Sequence, residues 1–591
     1  MQKRKIISLI FTAVFLLSMI NGCASFRPAQ HEAITFEAPF RNSSAFIDLL
    51  HSKYPEIKLE VIPYSGRNQT AYMTSQLRSG DMPDIFFTTT YTPGHDDLSN
   101  RLIDLSGYSF TSNYSEARLH DVTDNGAIYL LPVYFSCIGI TYNKTLLEKH
   151  GWKLPTSFKE LEELAPKVKE AGCNLALNQI ALPGFGFQYI CNILDTDFLN
   201  TIEGRKWQRD YLSGKVSFSD TSQMMNALNI LNKWRDIGML NGNGDPADDG
   251  KTKEIMAEGN TLFMLGSDNT FTSEETADKF SLMPYLSDDG TRNTYILNIS
   301  RYVGLNKHLK DPGNKQKLAD AIHVMEVLST KEGLSALNDN YSNTSMLPLK
   351  DFSPENGSYY SGIEDELDKG ATAPFLYAGW ENVILPVGEA GLSFIKGKSD
   401  TGVIAEAFDS SQKQIQNNTH ENYTTVTEKI DTEDCARLVG ICFGKASGAD
   451  MALVSVNKWY KTDEDSYLNS DGVSGALFPL PVTDQEITSI LPTGWRGNIQ
   501  TVTLTGKKIK ELIKKGYIRN GDKAHPYPYI NSKPEGMEID DNKIYKVAIC
   551  GSSNETSAEG NLTDTGILGL EAARDYFSQF KTFSKSDIIW R

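Results

Sequence analysis

Apolar and polar positions alternate through "AITFEAPF" (33–40), which predicts a strand, and "SSAFIDLLHSKYP" (43–55) then spaces its apolar residues as a helix does until Pro55. "IKLEVIPY" (57–64) reads as the next strand, "NQTAYMTSQLRSG" (68–80) as a helix closed by Gly80, and "MPDIFFTTT" (82–90) as an almost wholly apolar strand of the kind buried on both faces in a parallel sheet. Strand, helix, strand, helix, strand predicts a doubly wound α/β lobe. In such sheets ligands sit beyond the carboxyl ends of the strands. That makes Phe36 to Arg41, Tyr64 to Asn68 and Thr88 to Tyr91 the candidate rim.

Further on, "VYFSCIGITY" (133–142) is long enough to pass from one lobe to another. "NKTLLEKHGWKLPTSF" (143–158) follows with a short helix, a Pro-limited turn and a Ser/Thr helix cap. This predicts a hinge near 134–145 on which two lobes close, the alternative being a strand and helix inside one rigid domain. The pattern turns polar over "SSQKQIQNNTHENYTTVTEKIDTED" (410–434), a linker or domain edge. A second α/β set follows: a helix in "EDCARLVGICFGKASG", a strand in "ADMALVSV", then "VTDQEITSILP", "IQTVTLTGKKIKELIKKG" and "NKIYKVAICG".

At 591 residues the chain exceeds a single hydrophobic core. Its formal charge of -17 and pI near 5.1 exclude a surface built to track phosphates, so no nucleic-acid partner is expected. The first residues change the picture most. Lys3, Arg4 and Lys5 precede an apolar run from Ile6 to Ile20 that ends in Asn21, Gly22 and Cys23, an export signal too short for a comfortable membrane span. The last of these residues resemble a bacterial lipobox, which implies a signal peptide over 1–22, lipidation of Cys23 and a tether over 23–30. The alternative is an uncleaved anchor with an incidental cysteine. The remaining cysteines form no C-x-x-C pair and no zinc spacing, so no structural metal is expected; export permits disulfides without fixing their pairing.

Seven stretches in order, among them "LRSGDMPDIFF", "GAIYLLPVYFSCIGITYNKTLLEKHGW", "LPTSFKELEELAPKVKEAG" and "IMAEGNTLFMLGS", resemble the extracellular solute-binding proteins of bacterial ABC importers, in the branch that binds sugars. The likeness covers roughly 31–418. It implies a two-lobed periplasmic-binding-protein-like fold of type II, a carbohydrate ligand, permease subunits as partners, no cofactor, and a place outside the cytoplasm, held to the membrane by lipid. Sugar sites pair aromatic platforms with polar groups, and the chain has 26 Tyr, 27 Phe and 7 Trp to draw on. Motif by motif, the resemblance places ligand contacts at Phe36, Glu37, Arg41, Tyr91 and Tyr134 in the first lobe, and at Ser267, Asn269 and Trp380 in the second. The plain alternatives are core packing for the aromatics and solvated flanks for Glu37 and Arg41.

The five stretches beyond 430 resemble, in order, the C-terminal domain of the 5'-nucleotidases, an α/β domain here spanning 430–591. Its catalytic partner is missing, because no metallophosphatase signature precedes it. Where that family has an Arg facing phosphate this chain has Tyr460, and where it places an aromatic and a Gly-Gly-Asp turn after "YKVA" this chain has Cys550 and Gly551; Tyr527 and Tyr529 remain as possible vestigial base contacts. "NGNGDPADDGKTKE" fails as a calcium loop because Pro246 stands where Gly is required and Thr252 where Glu is. No catalytic residue is expected. A nucleotide-scavenging protein and a surface adhesin or sensor are the alternative functions.

Overall fold

The computed structural model describes residues 31–590, apart from 39–43, 64–68, 90–97, 267–270, 272–274, 338–345, 351, 353–358, 361, 364–365, 368, 377–379, 419–421, 458–471, 493–496, 519–522, 525 and 550–561. The first sheet takes β1 (Ile34–Ala38), β2 (Leu59–Pro63) and β3 (Ile85–Thr88) from the start of the chain, with helices Ser44–Lys53 and Gln69–Ser79 between them. β1 lies in the middle of these three, parallel to both neighbours. Phe36 is fully buried against Phe46 and Phe87, which is why alternation marks this strand so clearly. A small ribbon, β4 (Thr123–Asp124) with β5 (Ala127–Ile128), precedes the long β6 (Leu131–Ile138).

The chain changes sheet at Gly139. β6 pairs in the first sheet, whereas β7 (Ile140–Asn143) belongs to a second, ordered β10-β7-β9-β8, with β8 at Asn174–Asn178, β9 at Thr261–Leu265 and β10 at Phe280–Met283. The expected crossing strand is therefore two strands with a glycine between them. A Cβ at Gly139 would stand 2.3 Å from the Met283 carbonyl oxygen, so only glycine lets the neighbouring chain pass. Two helices start the second unit as expected. Asn143 caps Lys144–His150, which ends at Gly151 in the left-handed region, and Ser157 caps Phe158–Glu170.

The chain returns through β11 (Tyr295–Leu305), antiparallel to β3 and β6, and completes the first sheet with β12 (Thr372–Pro374) in the order β12-β11-β3-β1-β2. It then crosses again, because helices Glu381–Ile395 and Gly402–Asn418 pack in the second unit, where Val383, Val387, Ile404 and Phe408 are buried in its core. Three crossings thus join two separately cored lobes, one around Phe36, Phe87 and Val303, the other around Trp234, Phe263 and Tyr285.

Beyond residue 422 lies a third unit. A small sheet of β13 (Thr424–Val426), β15 (Pro481–Val482) and β20 (Thr582–Phe583) stands beside a larger one, ordered β17-β14-β18-β16-β19. In the larger sheet, β14 is Met451–Ser455, β16 Asn498–Thr505, β17 Tyr529–Ser532, β18 Ile544–Ile549 and β19 Thr563–Leu568. Helix Thr432–Ser447 covers one face and Gly506–Lys515 the other. The short helix Asp484–Ile490 carries a full capping box from Thr483 and Glu486.

Candidate functional site

The carboxyl ends of β1, β2 and β3 lead into 39–43, 64–68 and 90–97, so Arg41 and Tyr91 lie outside the described residues, as do Ser267 and Asn269 after β9, and Cys23. What is described shows how the rims are held. In lobe one the Thr70 and Thr89 hydroxyls lie 2.7 Å apart, tying the start of helix 69–79 to the end of β3. In lobe two the Tyr189 hydroxyl lies 2.8 Å from the carbonyl oxygens of both Gln179 and Leu265, and so clamps the carboxyl ends of β8 and β9 together.

Four expected contacts are buried. Phe36 is enclosed by Phe46 and Phe87, and Trp380 stacks on Tyr211 at 5.5 Å with Phe187 at 6.0 Å, so both are core rings and not open platforms. Tyr134 is buried in β6 opposite Arg301. Glu37 is 1% exposed, turned under helix 69–79 towards Gln76. Burial drives its carboxyl up from 4.5 to about 8, against a hydrogen bond from Gln76 and the positive field of Lys429, and Oε2 has no partner among the described residues. In the third unit Tyr527 and Tyr529 are likewise buried, packed with Tyr517 in a minor core, so neither offers a ring face to a base.

Two groups at the rims escaped the sequence reading. Arg301 sits between two register shifts in β11, immediately before Tyr302, which pairs with Thr88 at the carboxyl end of β3. Bulges of this kind re-aim a side chain beside a site, but a bulge leaves no mark in "NISRYVG". The other is the loop after β8. Leu182 is 61% exposed there, Phe185 stacks on Tyr189 at 6.1 Å, and Asp249 accepts from the Ala181 amide at 3.2 Å. Pro183, which opens helix Pro183–Leu194, was its only signal.

Cys137, Cys191, Cys435 and Cys442 are buried free thiols and Cys173 a half-buried one. Burial pushes the four buried thiols up, so they are inert packing groups. Among the described residues no group of three or more His, Cys, Asp or Glu could hold a metal ion, and no helix is long and apolar enough to cross a membrane.

Residues 36–322, just under half of the chain, match the family model described as bacterial extracellular solute-binding protein. An uncharacterized ABC transporter extracellular-binding protein of Pyrococcus horikoshii is 23% identical over 181 residues, 30% of this chain and 42% of that protein. The chain thus matches about two fifths of that curated relative's length. In fold, the apo form of RafE from Streptococcus pneumoniae superposes with a TM-score of 0.52 at 14% identity, over 66% of this chain and 99% of RafE. A Bacillus subtilis binding protein in an open conformation gives the same values. AcbH, a bacterial solute receptor with an exclusive preference for β-D-galactopyranose, gives 0.51 at 14% identity, over 65% and 98%.

Proposed function

We propose that this chain, whose residues 36–322 match the bacterial extracellular solute-binding protein model, is a lipid-anchored receptor that captures a carbohydrate outside the cytoplasm and hands it to the permease subunits of an ABC importer. The observation that carries the reading is the pair of separately cored lobes joined by three crossings, one of them passing through Gly139. Such a molecule binds by closing, and its affinity reflects how much better the ligand fits the closed state. The rim groups assigned to the ligand are Arg301, Leu182 and Phe185, together with Arg41, Tyr91, Ser267 and Asn269. Arg301 supplies hydrogen-bond donors and Phe185 an apolar face for a sugar ring.

Titration calorimetry against oligosaccharides, nucleosides and peptides tests this. Heat from sugars alone is expected; heat from nucleosides alone overturns it. For the anchor, Cys23→Ser should release the protein from the membrane, and retention of that variant would mean an uncleaved helix holds it.

The third unit is assigned as a module resembling the 5'-nucleotidase C-terminal domain that neither hydrolyses nor grips a nucleotide, since burial of Tyr527 and Tyr529 leaves neither ring open to a base. Adenosine monophosphate with added divalent metal should yield no phosphate.

A further inference from the structure

The third unit's chain connection and its packing lead to different lobes. Helix 402–418 belongs to lobe two: Phe408 lies in that core, and its carbonyl accepts from the Tyr211 hydroxyl at 2.6 Å. Five residues later the Tyr423 amide donates to the Val482 carbonyl inside the third unit. Fully extended, that interval reaches about 18 Å at most. Yet the third unit rests on helix 69–79 of lobe one. Glu486, 1% exposed, pairs with Arg78 at 2.7 Å and accepts from the Ser75 hydroxyl at 3.2 Å, while its other oxygen accepts from Thr483 of its own cap. Lys429 pairs with Asp81 at 2.6 Å and lies over the ring of Phe478, which in turn meets Tyr72 at 5.6 Å.

The tie is continuous within the third unit. The Tyr423 hydroxyl donates to Asp484 at 3.0 Å, Arg574 holds both oxygens of Asp484, and Asp484 opens the same short helix that carries Glu486. From lobe two to lobe one there is thus a chain of one short linker, two side-chain ties and one ion pair whose carboxylate is buried. A unit that merely trailed from the receptor would have no reason to bury a carboxylate against it, because a carboxylate taken out of water is costly unless its partners are held in place around it.

We propose that the third unit is a strap, tethered to lobe two by a short stretch of chain and docked on lobe one through Glu486 and Lys429, so that the relative movement of the lobes is limited by this docking. Lobe motion then strains the linker or opens the contact on helix 69–79, and any event that loosens the contact frees the lobes. The proposal rests on the two-lobed receptor reading, but its test needs no solute, so the two fail independently.

Two variants of the full chain separate docking from strapping. In Arg78→Ala/Lys429→Ala both changed side chains are partly exposed, so neither core is disturbed. Amide exchange over 69–79 should rise about tenfold while that over 158–170 in lobe two stays unchanged. In the second variant a flexible Gly/Ser insertion of about ten residues at 419–421 should leave exchange over 69–79 as in the parent. The spread of distances between spin labels on the two lobes should nevertheless widen. Unchanged exchange in the first variant overturns the docking, and an unchanged distance distribution in the second overturns the strap.

Discussion

Two helix contacts hold this molecule together by opposite means. In lobe two, helix Pro183–Leu194 meets helix Glu381–Ile395 through glycines: a Cβ at Gly186 would stand 2.2 Å from the Gly388 carbonyl oxygen, and one at Gly388 2.0 Å from that of Pro183. Between lobe one and the third unit, helix 69–79 meets helix 484–490 through a buried carboxylate and its partners. The first contact works by shape alone, backbone against backbone, and has no intermediate state: it is closed or it is broken. The second works by charge and hydrogen bonding, so it can part into water, where both ions are rehydrated. A permanent seam and a releasable one follow from what the two interfaces are made of.

The largest expected effect sharpens the contrast through pH. Glu37, beneath the charged contact, keeps its proton up to about 8 in the folded protein against 4.5 ordinarily. Between these values the folded state holds one proton more than the unfolded, so stability is fully present below 4.5, declines as pH rises to about 8, and is level above. Asp84, elsewhere in lobe one, stays ionised, bound by Thr35, Lys317 and His308. Denaturant melts of wild type and Glu37→Gln should diverge by on the order of 4 kcal/mol across that window. Taking the difference removes other burial-shifted carboxyls such as Asp195, pushed up to about 7.

Next in size, Gly388→Val should cost about 3 kcal/mol at every pH, because the obstacle it meets is backbone. A melt unchanged by that substitution would show that the helices can move apart. Glu486→Ala should cost about 2 kcal/mol through loss of the cap and of the buried hydrogen bonds, with Arg78, 38% exposed, left free to reach water. High salt should narrow this gap and leave the glycine contact untouched. Smallest, Tyr189→Phe should cost about 1 kcal/mol by unclamping β8 from β9, read from the same melts.

Local pattern carried the elements well. β1, β2, β3 and the two helices between them fall inside the stretches expected of them, since alternation, Pro55 and Gly80 are signals a few residues long. The family match supports the solute-binding reading of residues 36–322, and solved structures share the fold. The site was less legible. Trp380 and Phe36 carry the same letters whether they stack on a sugar or on Tyr211 and Phe46, and only tertiary neighbours decide. "TDQE" announces a capping box but not the partner of its glutamate, which lies 408 residues away in sequence. Gly139 reads as a weak point in one strand. Its role in switching sheets depends on Met283, which sits next to it only once β10 has paired with β7.

The route of β11 also orders assembly in time. The four strands of lobe two come from one continuous stretch, 140–283, whereas β1 and β3 of lobe one wait for β11 at 295–305 to complete their sheet. Loop closure over some two hundred residues is slow compared with pairing inside lobe two. The sheet of the second lobe is therefore the first able to pair, although its core is completed only when helices 381–395 and 402–418 pack on it.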